Sequence, residues 1–382
     1  MIRVKFTTDR NRSRATACRA TARTMTSDID QNDIDQDDPA SLRRKVSFLS
    51  RPEAYVPAPE SVVVRETHMS WVFMAGHRVY KLKKPVRFPY LDFSTLERRA
   101  AAANAEVTLN RRLAPDVYLG VAPLTITPQG YTIGASGTVV DWLVVMRRLD
   151  ESQTLEAALG RREIPRARIR QLGEILTCFY SRAPRLLLGA DSYLSGLNKA
   201  ILADRRLLLG GTFDLRPGQI QRIVNIQHRF LQQRRPVLAS RIHRRLILDG
   251  HGDLRPEHIW LGGSYPIIDC LEFNAALRAG DALDEFAFLH LECERLGGVA
   301  VGDALRRQLA VVLNDDPASG LFLFYRIGRA MLRARLSIAH LADAHVRTPD
   351  KWPRLAQTYL KLVGTDVMAL ERLLDRDGDP FR

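Results

Sequence analysis

Cysteine is scarce in this chain of 382 residues. The four cysteines are widely spaced, at Cys18, Cys178, Cys270 and Cys293, and no two of them form a C-x-x-C pair. A disulfide framework or a structural zinc site usually needs cysteines at short, regular spacings. The pattern therefore favours reduced thiols in a cytoplasmic protein.

Long hydrophobic runs and a phosphate-binding P-loop are also missing. No apolar stretch approaches the roughly 20 residues that a membrane-spanning helix needs, and the first residues lack the apolar centre of a secretory signal. The motif G-x-x-x-x-G-K-[ST] does not occur, which excludes a P-loop ATPase at the level of the motif. With 46% hydrophobic and 26% charged residues, we expect a soluble globular protein with no membrane partner.

The net charge of +14 comes from the body of the chain. Residues 1–25 hold seven Lys/Arg and one Asp, residues 26–40 hold six Asp and no Lys or Arg, and the two excesses cancel. A basic body attracts anions such as nucleotides or phosphorylated substrates. No zinc-finger or RNP-type motif accompanies the charge, so a nucleic-acid partner is not expected.

The order of predicted elements indicates two lobes after a tail. Residues 1–40 have little to bury and are predicted to be disordered, with translation starting at Met1 or Met25. Residues 41–148 predict a short helix, three strands, one long helix and further strands, which form the first lobe. Residues 149–382 are mostly helical and form the second lobe.

The second lobe contains two features that the structure can test. A continuous helix is predicted over 217–240. Residues 244–274 form a strand-rich patch interrupted by glycines, and its apolar segments predict a short hairpin.

Two aspartates follow apolar segments of this patch. Asp253 lies in the polar loop after LILDG, and Asp269 ends the segment YPIID. On neighbouring strands of a hairpin, such carboxylates converge on one point, where they can hold a divalent cation or accept a hydroxyl proton. Phosphoryl transfer needs this pairing, because one carboxylate orients the nucleophile and the other holds the metal that neutralises phosphate charge.

The segment HGDLRPEH resembles the catalytic loop His-Gly-Asp-Leu-x-x-x-Asn of the aminoglycoside phosphotransferase family. As in that family, an Ile-Asp pair follows about ten residues later, here ending at Asp269. That family belongs to the protein-kinase-like superfamily, so the resemblance implies a two-lobed α+β fold with a small antiparallel sheet lobe, one helix and a larger helical lobe. It implies that Asp253 is catalytic, that Asp269 binds metal and that His251 braces the loop. Some bacterial proteins fuse this domain to a P-loop kinase, and the stand-alone form is expected here.

Two further sets of residues follow from the same resemblance. Asp281 and Glu285, in GDALDEFAFL, resemble a family segment that braces the catalytic loop. His258 stands where the family has asparagine, and imidazole suits Mn²⁺, iron or zinc better than Mg²⁺. His258 therefore ligates a different ion, hydrogen-bonds Asp253, marks weakened catalysis, or simply packs against Trp260.

The first lobe supplies a second match to kinase-like folds, in which a strand lysine contacts phosphates and pairs with a helix glutamate. Lys81 and Lys83 share one face of the strand VYKLKK, and we favour Lys81 because it lies nearer mid-strand. Glu106 and Glu97 compete as its partner. We favour Glu106, because the small residues around it let the helix approach the sheet, whereas a helix-dipole role explains Glu97.

No glycine-rich flap precedes these residues. The loop ending at Ser70 offers hydroxyls and backbone N–H groups to phosphate instead. Met146, near the end of the last strand of the first lobe, is a candidate wall of the adenine pocket.

Together these observations predict a phosphotransferase that moves the terminal phosphate of ATP or GTP to a hydroxyl of a small molecule, with Mg²⁺ or Mn²⁺. The acceptor is expected to be neutral or anionic, because the helical lobe is rich in arginine. Two alternatives remain open. The chain is a nucleotide-binding regulatory module with weak catalysis, or it transfers AMP on the same fold.

Overall fold

The computed structural model describes residues 39–162, 164–211, 213–342 and 348–377. The tail predicted over residues 1–40 lies outside these ranges, apart from its last two residues, which belong to the first helix. The described chain forms a small lobe built on an antiparallel sheet and a larger helical lobe, which confirms the predicted α+β class.

The small lobe is organised around one antiparallel sheet with the strand order β1-β2-β3-β8-β6-β7. Its elements are α1 (Pro39–Leu49), β1 (Val62–Glu66), β2 (Ser70–Ala75), β3 (Arg78–Lys83), β4 (Arg87–Phe88), β5 (Leu91–Asp92), α2 (Leu96–Asn110), β6 (Tyr118–Thr127), β7 (Gly130–Ile133) and β8 (Thr138–Arg147). Gly76, with φ of 59°, makes the turn between β2 and β3, a left-handed conformation that glycine adopts without strain.

Helix α2 packs closely on this sheet because its inner face carries small residues. Thr95 caps the helix by accepting a hydrogen bond from the backbone N–H of Arg98. Ala103 and Val107 pack against residues of β6 and β8. Glu106 lies three residues after Ala103, about one helical turn, so it shares this inner face and is buried against the sheet.

A buried charge cluster fixes both helices of the small lobe to β8. Asp141 accepts one hydrogen bond from Lys45 of α1 at 2.8 Å and another from Arg99 of α2 at 2.9 Å. All three side chains are almost completely buried. Because a buried ion pair is costly to break, this cluster sets the position of α2, and with it the position of Glu106.

The large lobe is a bundle of helices with one two-stranded sheet. Its elements are α3 (Leu155–Arg161), α4 (Arg166–Arg182), α5 (Ala190–Leu209), α6 (Pro217–Gln233), α7 (Arg235–His243), β9 (Ile247–Asp249), α8 (Ala275–Arg278), β10 (Ala279–Asp281), α9 (Ala282–Arg295), α10 (Val299–Leu313), α11 (Leu321–Ala339), α12 (Lys351–Leu362) and α13 (Gly364–Asp377). Helices α9 and α11 lie at the centre of the bundle, and most residues of α9 are buried. None of the described helices is long and apolar enough to cross a membrane.

The continuous helix predicted over 217–240 is wrong in one respect. The chain forms two helices, α6 and α7, with Arg234 between them. Pro236 lies in the first turn of α7. Proline lacks the backbone N–H that a helix interior requires, so it begins a new helix more readily than it continues one.

The predicted hairpin of residues 244–274 is also corrected. Strand β9 pairs with β10 rather than with the segment that leads to Asp269. That segment forms a single isolated bridge, between Ile259 and Ile267. In the loop after β9, the backbone N–H groups of His251 and Gly252 donate hydrogen bonds to the side chain of Glu285 rather than to another strand. Asp253 and Asp269 therefore do not end neighbouring strands of one hairpin.

Candidate active site

The predicted lysine and glutamate of the small lobe meet at the cleft between the lobes. The Nζ atom of Lys81, on β3, lies 2.8 Å from Oε1 of Glu106 and 3.3 Å from Oδ1 of Asp269. The side chain of Lys81 is 17% exposed, whereas that of Glu106 is 1% exposed. The buried carboxylate of Glu106 thus fixes the ammonium group of Lys81, which reaches into the cleft and contacts Asp269 of the large lobe.

The second lysine of the same strand face plays a different part. Lys83 donates a hydrogen bond to Oε2 of Glu106 at 2.6 Å and forms an ion pair with Glu272. Its side chain is only 1% exposed, so it is closed off from the cleft. Glu97 is exposed in the first turn of α2, which agrees with its expected effect on the helix dipole.

The charges of these groups support each other. Burial alone would raise the pKa of Glu106, but the ammonium groups of Lys81 and Lys83 outweigh it and hold the pKa below its ordinary value. Burial would likewise lower the pKa of Lys81, but Glu106, Asp269 and Glu272 raise it well above its ordinary value. Both groups are therefore ionised at neutral pH.

The catalytic-loop candidate Asp253 is positioned through its backbone. Its N–H donates to Nδ1 of His251 at 3.3 Å, and Nε2 of His251 lies 3.0 Å from the carbonyl oxygen of Ile268. Burial lowers the pKa of His251 to about 4, so the ring is neutral and its Nε2–H donates to that carbonyl. His251 thereby connects the loop to the residue before Asp269, the bracing contact that the resemblance implies.

Glu285 and Asp281 support this loop in different ways. Glu285 binds the loop directly through the N–H groups of His251 and Gly252. Asp281 forms a bidentate ion pair with Arg241 at 2.6 Å and accepts a hydrogen bond from the hydroxyl of Tyr325. It also ends β10, the partner of β9, so it fixes the strand that leads into the loop.

His258 lies between the two aspartates. Its Nδ1 is 2.9 Å from the carbonyl oxygen of Asp253, and its Nε2 is 3.6 Å from Oδ2 of Asp269. A carbonyl oxygen can only accept, so Nδ1 carries the proton in the neutral ring and Nε2 faces Asp269 with a lone pair. The expected contact with Asp253 is present, but it is made with the backbone.

Asp269 is held in an unusual backbone conformation, with φ of 65°. Its N–H donates to the hydroxyl of Tyr118 at 3.3 Å, and the next N–H, of Cys270, donates to the side-chain carbonyl of Asn110 at 2.9 Å. Its carboxylate is 46% exposed. Burial would raise the pKa of Asp269, but Lys81 and His258 hold it well below its ordinary value, so the group stays charged in the cleft.

A metal fits this geometry with only a partial set of protein ligands. Nε2 of His258 and Oδ2 of Asp269 are 3.6 Å apart, which is less than the roughly 4.2 Å sum of two metal–ligand bonds of about 2.1 Å. One ion can therefore touch both atoms. Within the part of the chain that the structure describes, no three His, Cys, Asp or Glu side chains cluster to hold a metal. The remaining ligands would have to come from phosphate oxygens and water.

The cleft between the lobes, which Lys81 and Asp269 border, has a volume of about 710 Å³. The predicted nucleotide-site residues Ser70 and Met146 both line it, together with Lys81 and Asp269. Ser70 is buried in a tight turn in which Thr67 and Ser70 bond to each other, so that loop presents backbone and hydroxyl groups rather than glycines. The cleft has the size of a typical site for a small molecule or cofactor.

Sequence reasoning missed the residues that tie the two lobes together. Arg112, which follows α2, donates to the carbonyl oxygens of Asp249 at 2.8 Å and Gly250 at 2.6 Å. Asn110 and Tyr118 bind the backbone around Asp269. The available signal was their place at and just after the end of α2, in the segment NRRLAPDVY, since their partners lie 137 to 160 residues away.

No known family profile matches the chain. Curated proteins that it resembles include the uncharacterized proteins Rv2004c of Mycobacterium tuberculosis and Mb2027c of Mycobacterium bovis. Each is 34% identical to it over 291 residues, which make up 73% of this chain and 55% of the relative. The chain therefore spans about half the length of the curated relatives it matches.

Solved structures resemble it across most of its length. A choline/ethanolamine kinase family protein from Mesorhizobium loti has a TM-score of 0.50 and 15% identity, and the match covers 87% of this chain and 98% of that one. A thermostable mutant of the aminoglycoside phosphotransferase APH(4)-Ia has a TM-score of 0.50 and 12% identity, covering 85% and 98%. These likenesses confirm the fold that the loop motif implied: the chain has the protein-kinase-like fold of aminoglycoside phosphotransferases and choline/ethanolamine kinases.

Proposed function

We propose that the protein transfers the terminal phosphate of ATP or GTP to a hydroxyl group of a small molecule. The observation that carries this proposal is a chain of contacts that links the two lobes at the cleft. Lys81 is anchored by Glu106, it contacts Asp269 of the other lobe, and His258 joins Asp269 to the backbone of Asp253. Phosphoryl transfer requires this combination of a fixed cation, a metal-binding carboxylate and a carboxylate for the acceptor.

The small lobe, residues 41–148, would bind the nucleotide. Lys81 would exchange its contact with Asp269 for the phosphates, while Glu106 keeps it in place. The backbone of the turn at Ser70 would cover the phosphates, and Met146 would form one wall of the purine site. In support, Lys81, Ser70 and Met146 all line the cleft, and Glu106 is the buried anchor of Lys81.

The large lobe, residues 149–382, would supply the acceptor side. The acceptor oxygen attacks the terminal phosphorus, and its proton passes to the carboxylate of Asp253. The new O–P bond forms as the bond between that phosphorus and the bridging oxygen breaks, and the nucleoside diphosphate leaves with the electron pair. His251 and Glu285 act by positioning, because both bind the backbone of the loop.

His258 and Asp269 would hold the divalent ion. When bound, such an ion neutralises the charge that develops on the phosphate oxygens. One nitrogen and one carboxylate ligand favour Mn²⁺ over Mg²⁺, since Mg²⁺ prefers oxygen ligands only. This mixed pair is the feature that sets the site apart from one built of oxygen ligands alone.

The metal preference gives a test of the proposal. In the presence of ATP or GTP, we expect Mn²⁺ to raise the melting temperature more than Mg²⁺ does, because a ligand that binds only the folded state stabilises it. Replacing His258 by Asn should reduce the ratio of Mn²⁺ to Mg²⁺ affinity by on the order of tenfold, because the nitrogen ligand becomes an oxygen ligand. Mn²⁺ affinity can be read directly by electron paramagnetic resonance, without any measurement of activity.

The side-chain amide of the His258→Asn variant can still donate a hydrogen bond to the carbonyl oxygen of Asp253. The loop should therefore fold as in the wild type, and a changed metal preference would report the lost nitrogen ligand. An unchanged metal preference in this variant would remove His258 from the ligand set. If neither nucleotide raises the melting temperature with either ion, the whole proposal fails.

A further inference from the structure

A second cavity, of about 650 Å³, lies in the large lobe behind the catalytic loop. Helices α5 and α11 form two of its walls, the α8 turn forms a third, and Gly250 and Gly252 of the loop form a fourth. We infer that this cavity receives the acceptor, and that the acceptor is an uncharged alcohol with a mainly apolar body. This inference rests on the proposed phosphotransfer and adds the chemical class of its substrate.

The cavity is adjacent to the residue that would accept the proton. Gly252, on its wall, directly precedes Asp253. A β-carbon at Gly252 would come within 2.9 Å of Leu271, whose side chain lines the nucleotide cleft. The glycine therefore keeps the partition between the two cavities thin. A hydroxyl group that reaches Gly252 lies one residue from the proposed base and beside the nucleotide cleft.

Electrostatics also connect the cavity wall to Asp253. Burial would lower the pKa of Arg329, but the carboxylates of Asp284, Glu285 and Asp253 together raise it. Arg329 lines the cavity, so this wall residue interacts with Asp253 as well as with Asp284 and Glu285.

The charged side chains of the wall are paired with one another. Arg335 binds Asp204 at 2.5 Å, and Arg329 binds Asp284 through two contacts of 2.9 and 3.0 Å. In the described wall, three carboxylates and three arginines face the cavity, so the net charge of the lining is zero.

The two remaining charged groups of the wall are also engaged. Arg278 binds Asp249 and the carbonyl oxygen of Leu271, each at 2.7 Å. Glu285 accepts the N–H groups of the catalytic loop at Oε1, and its Oε2, which has no hydrogen-bond partner among the described residues, can accept a hydroxyl hydrogen. Because the net charge of the lining is zero, an acceptor of either sign would bring in a charge that the lining does not balance.

The rest of the lining is largely apolar, and leucines from several elements contribute to it. They are Leu186, Leu188, Leu197, Leu277 and Leu332. The arginines that made an anionic acceptor plausible from the sequence are thus neutralised in the fold. An uncharged alcohol satisfies the wall without breaking any of its ion pairs.

Three alcohols that share a phenyl ring test the inference: 3-phenylpropanol is neutral, phenylalaninol is a cation and 3-phenyllactate is an anion. Binding is measured by nuclear magnetic resonance titration of the full chain without nucleotide. We expect 3-phenylpropanol to bind at least about tenfold more tightly than the two charged alcohols, because an unpaired charge is costly to bury. Equal or tighter binding of a charged alcohol would overturn the inference, and so would the absence of binding by all three.

Cavity-filling variants locate the binding site. Gly196 of α5 has no heavy atom within 4 Å of an added β-carbon, and at Gly328 of α11 the nearest is Nε2 of Gln227 at 3.8 Å. Gly196→Leu and Gly328→Leu should fold, since leucine favours helices more than glycine does. Both should weaken 3-phenylpropanol binding at least tenfold. Gly160→Leu, in α3 and outside both cavities, is the matched control.

A charge variant provides an independent readout. Asp204→Asn leaves Arg335 without its carboxylate, so the variant should bind 3-phenyllactate more tightly than phenylalaninol. If Gly196→Leu and Gly328→Leu bind 3-phenylpropanol as tightly as the wild type does, the alcohol binds elsewhere. The same follows if Asp204→Asn does not shift the relative affinities of the two charged alcohols in favour of 3-phenyllactate. If nucleotides stabilise the protein but no alcohol binds, this inference alone fails. If the alcohol binds but no nucleotide does, the proposed function fails.

Discussion

Replacing Asp253 by Asn is expected to lower turnover by about 10²–10⁴-fold, the contribution typical of a positioned general base. The amide cannot accept the acceptor's proton, but it has nearly the same shape as the carboxylate. The loop should keep its conformation, because its contacts to His251, His258 and Glu285 are made by backbone atoms. The carboxylate of Asp253 also lies 3.5 Å from Nη1 of Arg255, and the amide oxygen of Asn can keep that contact. Nucleotide affinity should therefore stay within about twofold of the wild-type value.

The measurement is the steady-state rate of phosphate transfer, paired with nucleotide-induced thermal stabilisation of the same samples. Asp116→Asn, at an exposed position, removes one negative charge outside the cleft and should leave both readings unchanged. A wild-type rate in Asp253→Asn would show that another group accepts the proton. A loss of nucleotide binding would assign Asp253 to the nucleotide site instead.

The second prediction separates the two lysines of β3. Lys81→Met should weaken nucleotide binding by about 10–100-fold, since a hydrogen bond to a charged group contributes roughly 1.5–3 kcal/mol. The fold should change little in stability, because Lys83 remains to neutralise Glu106. Lys83→Met is expected to do the opposite. It leaves the carboxylate of Glu272 and the Oε2 atom of Glu106 buried without a cation, which costs roughly 3–5 kcal/mol of unfolding free energy.

The loss in Lys83→Met should depend on pH. Burial raises the pKa of Glu272 even with Lys83 present, and removing the lysine would raise it further. A carboxyl whose pKa is higher in the folded state binds more protons there, so the fold loses stability as the pH rises. Urea unfolding should therefore show a larger deficit at pH 8 than at pH 5. Equal stability of the two variants, or equal loss of nucleotide binding, would contradict the division of roles.

Local patterns in the sequence selected Lys81 and Glu106 for the lysine–glutamate pair that kinase-like folds share. Strand alternation placed Lys81 and Lys83 on one face, and the alanines around Glu106 indicated a helix that lies close to the sheet. Both features depend on neighbours within a few residues. The loop motif around Asp253 is similarly local, and its resemblance to a known family supplied the fold.

Long-range contacts were out of reach of the same reasoning. Lys83 and Glu272 are 189 residues apart, and only the folded chain reveals that they pair. The pairing of β9 with β10 depends on α8, which returns the chain to the first strand. Asn274 caps α8, but a helix cap does not indicate which strand the chain joins next. The choice between a neutral and an anionic acceptor stayed open for a related reason: counting arginines does not show which of them are neutralised by ion pairs such as Arg335 with Asp204.

The central claim is that the terminal phosphate of a nucleotide moves to a hydroxyl group. It is tested most directly by supplying ATP labelled either at the γ-phosphate or at the α-phosphate, together with 3-phenylpropanol and Mn²⁺, and recovering the alcohol. The proposal predicts label in the alcohol from the γ-position only, with an added mass of about 80 daltons for one phosphate, and none with Asp253→Asn. Label from the α-position, corresponding to AMP transfer, would contradict it, and so would no transfer of either label to an alcohol that the protein binds together with the nucleotide.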